Sequence, residues 1–391
     1  MKNLLPSAAG EQMQTMHSIK RSEPVSGTGS VTVMTAGLCF GLLGIFLATG
    51  AFAQQAVPQF ELDPLWPRLP MSIDGEFWLT GGLGGMCMDD RGHVFLLNRQ
   101  DVVPDDLDGA RLAPPVIELD ADGIVIRAWG DPDRIGGRLH DCHVDADQNI
   151  WLVAAATGVI QKYSSDGSEL LMQIGETGRY DSADGTRQGG PLNSDRAQFF
   201  LPASIDVDPD SGNIYVADGE VVGGNHRIAV LDSQGQFLYQ WALRRTESEA
   251  GLAVTPHCLR ISGDGLVYVC DRLADRIQVF DKAGNFVRFI NNDFVPRTAP
   301  ANRSSGIRGT AVVLDFSHDA EQKYLYVINQ NSVMVEILDR HSGERLGSFG
   351  GGPGRYRGQF TLPHSIAVDA EGNVYVAEQG GQRIQRFRLL P

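Results

Sequence analysis

From about residue 84 onward, apolar side chains alternate with polar ones in short runs, and each run ends at a turn led by Asp or Ser. A period of two is the mark of a β-strand with one buried face. The pattern recurs six times, as GGMCMDDRGHVFLLNR, LHDCHVDADQNIWLVAA, PASIDVDPDSGNIYVADG, PHCLRISGDGLVYVCDR, AVVLDFSHDAEQKYLYVINQ and PHSIAVDAEGNVYVAEQ. The turn-entry residues are Asp89, Asp145, Asp208, Ser262, Ser317 and Asp369, spaced by 56, 63, 54, 55 and 52 residues. That spacing fits one propeller blade with its loops.

After most units a second pair of strands follows, as in RIAVLDSQGQFLYQWAL and RIQVFDKAGNFVRFI, which makes four strands joined as up-and-down hairpins. One such unit leaves edges and both faces exposed, whereas six in a ring bury them against each other. The sequence therefore predicts an all-β, six-bladed β-propeller. The last unit carries only three strands, and QFELDPLW, residues 59–66, supplies the missing outer one and closes the ring. We expect a single propeller domain over residues 54–391.

Composition agrees. There are 46 glycines among 391 residues, well above the usual roughly 7%, which suits a chain of many tight turns. The formal charge of −15 repels phosphate backbones and argues against nucleic acid as a partner. Ahead of the repeats, residues 31–53 form one uncharged apolar run with Lys20 and Arg21 upstream, ending in Ala51-Phe52-Ala53. This reads as a cleaved export signal, with an uncleaved membrane anchor as the alternative. A periplasmic or secreted monomer is expected. Four cysteines follow the leader, too few for a disulfide scaffold in a chain this long. Cys258 and Cys270, on neighbouring strands, are the pair placed to bridge.

The first strand of each unit lines the central channel, so the residue five before each turn sits at one mouth. Those residues are Gly84, His140, Ala203, His257, Val312 and His364. One histidine here would read as a satisfied buried cap. Three at the same offset, in alternate blades only, read as imidazoles converging on one axis: a metal site. Zinc suits it, because zinc takes three protein nitrogens and leaves a position open.

Residues that follow the second strand rim the same mouth: Arg99 in blade one, Glu220 in blade three and Arg272 in blade four. Paired guanidiniums beside a metal suggest a carboxylate-bearing ligand. His226 is the one further histidine in a loop on this face. Long loops at residues 176–200, 244–255, 290–308 and 349–361 gather there too.

The blades resemble NHL-repeat propellers. LHDCHVD, TPHCLRI and LPHSIAVD look like the three zinc-histidine segments of peptidyl-α-hydroxyglycine α-amidating lyase, over roughly residues 80 to 388. The resemblance implies that His140, His257 and His364 carry zinc and that Arg99 and Arg272 hold substrate. It also implies that an α-hydroxyglycine collapses to glyoxylate and a peptide amide. The family's tyrosine base is replaced here by Glu220, so Glu220 or His226 would take the proton. The family's calcium-binding Asp after the third histidine is Ser365, while Asp141 follows the first, which places calcium in doubt. Three readings result. The leading one is an exported zinc lyase acting on a small-molecule or peptide substrate with a carboxylate. The others are a zinc-dependent ester or lactone hydrolase, and a non-catalytic NHL propeller that binds a protein, peptide or glycan partner.

Overall fold

The computed structural model describes residues 57–73, 75–135, 137–221, 223–245, 254–292 and 309–391. The expected leader lies outside the described residues, as do parts of two of the long loops, residues 246–253 and 293–308. Among the described residues no helix is long and apolar enough to cross a membrane.

Six four-stranded antiparallel sheets form the propeller. Their first strands are Leu83–Met88, Leu139–Val144, Pro202–Val207, Pro256–Ile261, Leu314–Phe316 and Pro363–Val368. Each of these touches the first strand of the blade on either side, including the sixth against the first, so the ring is closed. The outer strand of blade six is Phe60–Leu62, inside the segment expected to close the ring. It pairs antiparallel with Arg383–Leu389 through Phe60 opposite Leu389 and Leu62 opposite Phe387.

The core is a series of layers between blades rather than one centre. Second strands are covered on both faces and are buried throughout, as in Val94–Asn98, Ile150–Ala154 and Ile214–Asp218. Fourth strands reach solvent, and Leu170–Ile174 exposes three of its five residues. The repeated turns follow from one device. The Asp369 carboxylate accepts the backbone N–H groups of Glu371 and Asn373 at 3.1 and 2.8 Å, and Asp89 does the same for Arg91 and His93. Gly372 (φ +83°) sits in the left-handed conformation that the turn requires.

All four cysteines of the propeller are in disulfides. Cys258–Cys270 forms as expected across one hairpin. Cys87–Cys142, 55 residues apart, ties the first strand of blade one to that of blade two and was not foreseen. Pairing between blades depends on how closely two first strands approach, which no local pattern reports.

Candidate metal centre

In the first strands of five blades the antiparallel register slips by one residue at the channel mouth, in blades one and three at Gly84 and Ala203 and in blades two, four and six at the histidine. The slips at the histidines lie between Leu139 and Asp141, Pro256 and Cys258, and Pro363 and Ser365. Such a bulge re-aims a side chain, and here it turns each imidazole to the axis. The ring centroids of His140, His257 and His364 lie 4.8, 4.9 and 5.0 Å apart in pairs. All three residues are buried, and their ligating atoms lie within 4.8 Å of one another.

Each Nδ1 faces a backbone carbonyl of the next blade. His140 donates to Ala203 O at 2.7 Å, His257 to Val312 O at 2.7 Å and His364 to Gly84 O at 2.9 Å. A carbonyl can only accept, so the proton is on Nδ1 and the Nε2 lone pairs point inward. The three acceptors are the residues at the histidine offset in blades three, five and one. Alternate blades thus supply a ligand and the carbonyl that orients one, the outer-shell arrangement typical of metal histidines.

Burial, then the charge of Arg272, holds the His257 imidazole well below its ordinary range. Burial, then Arg99, does the same at His364. Both rings are therefore neutral, the form a metal needs. His140 Nε2 is buried without a hydrogen-bond partner. The donor set and this orphaned nitrogen fit a metal ion.

Arg272 Nη1 donates to His257 Nε2 at 2.9 Å, and Arg99 Nη2 lies 3.5 Å from His364 Nε2. Arg272 Nη2 is anchored on Gln330 Oε1 at 2.8 Å, and Arg99 Nε on Leu139 O at 3.2 Å. Burial, followed by the neighbouring charge of Arg138, pulls the Arg99 guanidinium down to about 10, so it remains a cation at neutral pH. Gly84 makes this passage possible. A Cβ there would overlap the Leu139 carbonyl and lie 2.6 Å from Arg99 Nε.

Glu220 Oε1 lies 3.3 Å from His140 Nε2 and 3.9 Å from His257 Nε2. Burial alone would raise the Glu220 carboxyl. Proximity to His140, then to His257 and the Arg138 guanidinium, overrides it and holds the group well below the usual carboxylate range. The loop carrying Glu220 is stapled by buried groups: Asn225 Nδ2 donates to Asp181 and Asp218, and Arg227 Nε to Asp218 at 3.0 Å.

The structure brings Arg99, Arg272 and Glu220 to the three histidines and leaves His226 aside. His226 adopts a left-handed backbone (φ +54°), and its Nε2 donates to Val221 O of its own loop at 2.7 Å. It braces the loop that carries Glu220. Two site residues escaped the sequence reading. Arg138 Nη2 donates to Glu220 Oε1 at 2.9 Å, and Gln330 bridges Arg272 to Pro363 O. Gln330 follows the second strand of blade five, in step with Arg99 and Arg272, so the repeat phase carried its signal.

Below the histidines Asp141 is already neutralised. Arg260 grips it with two nitrogens at 3.0 and 3.2 Å, and Ser204 donates to it. That guanidinium stands where a second cation would go, which disfavours calcium at Asp141. Cys142 and Cys258, beside the histidines in sequence, are in disulfides and offer no thiolate. A depression of about 1130 Å³ opens at the opposite end of the channel among the Asp-led turns and touches none of the three histidines. The histidine cluster lies at the other end.

Fold and site together define a six-bladed propeller with an axial cluster of three histidines that could hold a metal ion. Residues 360–387 match the NHL repeat model. Over 340 residues the chain is 28% identical to NHL repeat-containing protein 3 of Mus musculus, covering 84% of each protein. It is 24% identical over 324 residues to the probable peptidyl-alpha-hydroxyglycine alpha-amidating lyase of Caenorhabditis elegans, covering 79% of this chain and 83% of that one. Among solved structures, a structural-genomics protein of unknown function from Bacteroides thetaiotaomicron aligns with a TM-score of 0.52 at 13% identity, over 80% of this chain and 70% of that chain. At that identity the likeness speaks for the fold alone.

Proposed function

We propose that this chain is an exported zinc-dependent lyase that cleaves a carbon–nitrogen bond in a small α-hydroxyglycine-type substrate bearing a carboxylate. The observation that carries this reading is the convergence of three inward-facing imidazole lone pairs with Arg99, Arg272 and Glu220 at one mouth. Resemblance to an amidating lyase over most of the chain supports it.

Zinc held by His140, His257 and His364 would supply Lewis-acid stabilisation to a substrate oxygen gaining negative charge. Arg99 and Arg272 stand beside the three histidines, at His364 and His257. A substrate carboxylate matches their planar forks, while Leu139 O and Gln330 keep both side chains in place. Glu220 accepts the hydroxyl proton as the carbon–nitrogen bond breaks, and that proton passes to the departing amide nitrogen. The products are an aldehyde-acid and an amide, with no oxidant required.

The test is incubation of the zinc-loaded chain with a peptidyl-α-hydroxyglycine. Equimolar glyoxylate and amide, lost in His257→Ala, are expected; zinc-loaded protein that turns over no α-hydroxyglycine would overturn the reading. A non-catalytic propeller that binds a partner at the same mouth is the second reading, favoured by the higher identity, 28% against 24%, to NHL repeat-containing protein 3, whose name carries no activity.

A further inference from the structure

We propose that Glu220 is a fourth metal ligand, so that the resting site is closed by the protein and opens only when a substrate oxygen displaces the carboxylate. This deepens the metal reading above and rests on it.

The argument starts from an electrostatic conflict. Nδ1 of His140 is committed to the Ala203 carbonyl, so its Nε2 presents a lone pair. The atom opposite is Glu220 Oε1, an acceptor, at 3.3 Å. His140 Nε2 and Glu220 Oε2 are both buried without a hydrogen-bond partner. At His257 and His364 an arginine faces the lone pair; at His140 a carboxylate does. Two acceptors facing each other in a dry site repel unless a cation lies between them.

A proton on Nε2 would relieve the conflict at His140 alone. A metal relieves it while also engaging His257, whose Nε2 lies 3.9 Å from the same oxygen. For bonds of about 2.0–2.1 Å, tetrahedral ligands are about 3.3 Å apart, close to the separation of Glu220 and His140. The carboxylate also has the outer-shell support that ligands usually have, since Arg138 donates to Oε1 at 2.9 Å. Arg138 is therefore a positioning residue, keeping the displaced carboxylate beside the substrate. Gly219 (φ +109°) allows the chain to turn in here, because a Cβ on it would collide with the backbone of His226.

The experiment compares zinc affinity, by competition with a chromophoric chelator, and the visible spectrum of the cobalt-loaded chain in the parent, Glu220→Gln and Glu220→Asp. If Glu220 is a ligand, the parent gives the intense bands of four-coordinate cobalt. Both variants then bind zinc at least about tenfold more weakly and their cobalt bands change. Glu220→Asp keeps the charge and withdraws the oxygen, which separates ligation from simple charge. Zinc affinity within about twofold of the parent and unchanged bands in both variants would overturn the inference while leaving the metal reading standing. A parent chain that binds neither zinc nor cobalt would overturn both.

Discussion

Arg272 Nη1 donates to Nε2 of His257 at 2.9 Å, and so occupies the lone pair that a metal would use. Metal and guanidinium compete for one acceptor, and the positive charge of Arg272 opposes a divalent cation. Arg272→Ala should therefore bind zinc at least as tightly as the parent. If Arg272 holds the substrate carboxylate, the same variant should lose turnover by about a hundredfold or more, since mispositioned substrate is costly. Chelator competition and glyoxylate release read the two effects separately. Weaker metal binding in Arg272→Ala would contradict the competition.

Gly84→Ala is expected to damage two things through one methyl group. The new Cβ overlaps the Leu139 carbonyl and crowds Arg99 Nε, and the carbonyl of residue 84 is the partner of His364 Nδ1. Backbone must move, so a Tm lower by several degrees is expected together with weaker zinc binding. Unchanged values for both would mean that the first strands yield more easily than their packing implies.

The Cys87–Cys142 bridge ties blades one and two beside His140. Removing it with Cys87→Ser and Cys142→Ser together should cost on the order of 2–4 kcal/mol, by releasing the unfolded chain from a 55-residue loop. Denaturant unfolding of the oxidised parent and the double variant measures this. Equal stabilities would contradict it.

Asp315 supplies a pH dependence of defined sign. Burial pushes its carboxyl up to about 6, although Arg260 opposes the rise. In the unfolded chain the group loses its proton near the ordinary 3.8. Between those values the folded state holds more protons, so this group's contribution to stability falls as pH rises. Asp315→Asn removes that loss. The Tm of the variant relative to the parent should therefore rise by several degrees from about pH 4 to about pH 7. A constant difference would contradict the assignment. The variant carries a fixed penalty as well, because both carboxylate oxygens accept backbone N–H groups, from Phe316 and Val368.

The ring and its axis were legible because a propeller repeats its geometry. Once the turns were aligned, one offset named His140, His257 and His364, and a second named Arg99 and Arg272. The same phase carried Gln330, which was passed over because its chemistry is bland. Arg138 was missed because it precedes the first strand and meets Glu220 only across the gap between blades two and three. The Arg260 clasp on Asp141 and the Cys87–Cys142 bridge were hidden for the same reason: each joins residues of different blades at a distance no period encodes. His226, the alternative to Glu220 as proton acceptor, shares its loop but not its direction, because a left-handed residue turns that ring back onto its own loop.

The most direct measurement is the metal content of the full chain after loading with zinc and removal of excess, in the parent and in His257→Ala. The account predicts one zinc ion per chain in the parent and none retained in the variant, with both showing the same propeller by circular dichroism. A parent chain that retains no zinc, or a variant that retains as much, would contradict it.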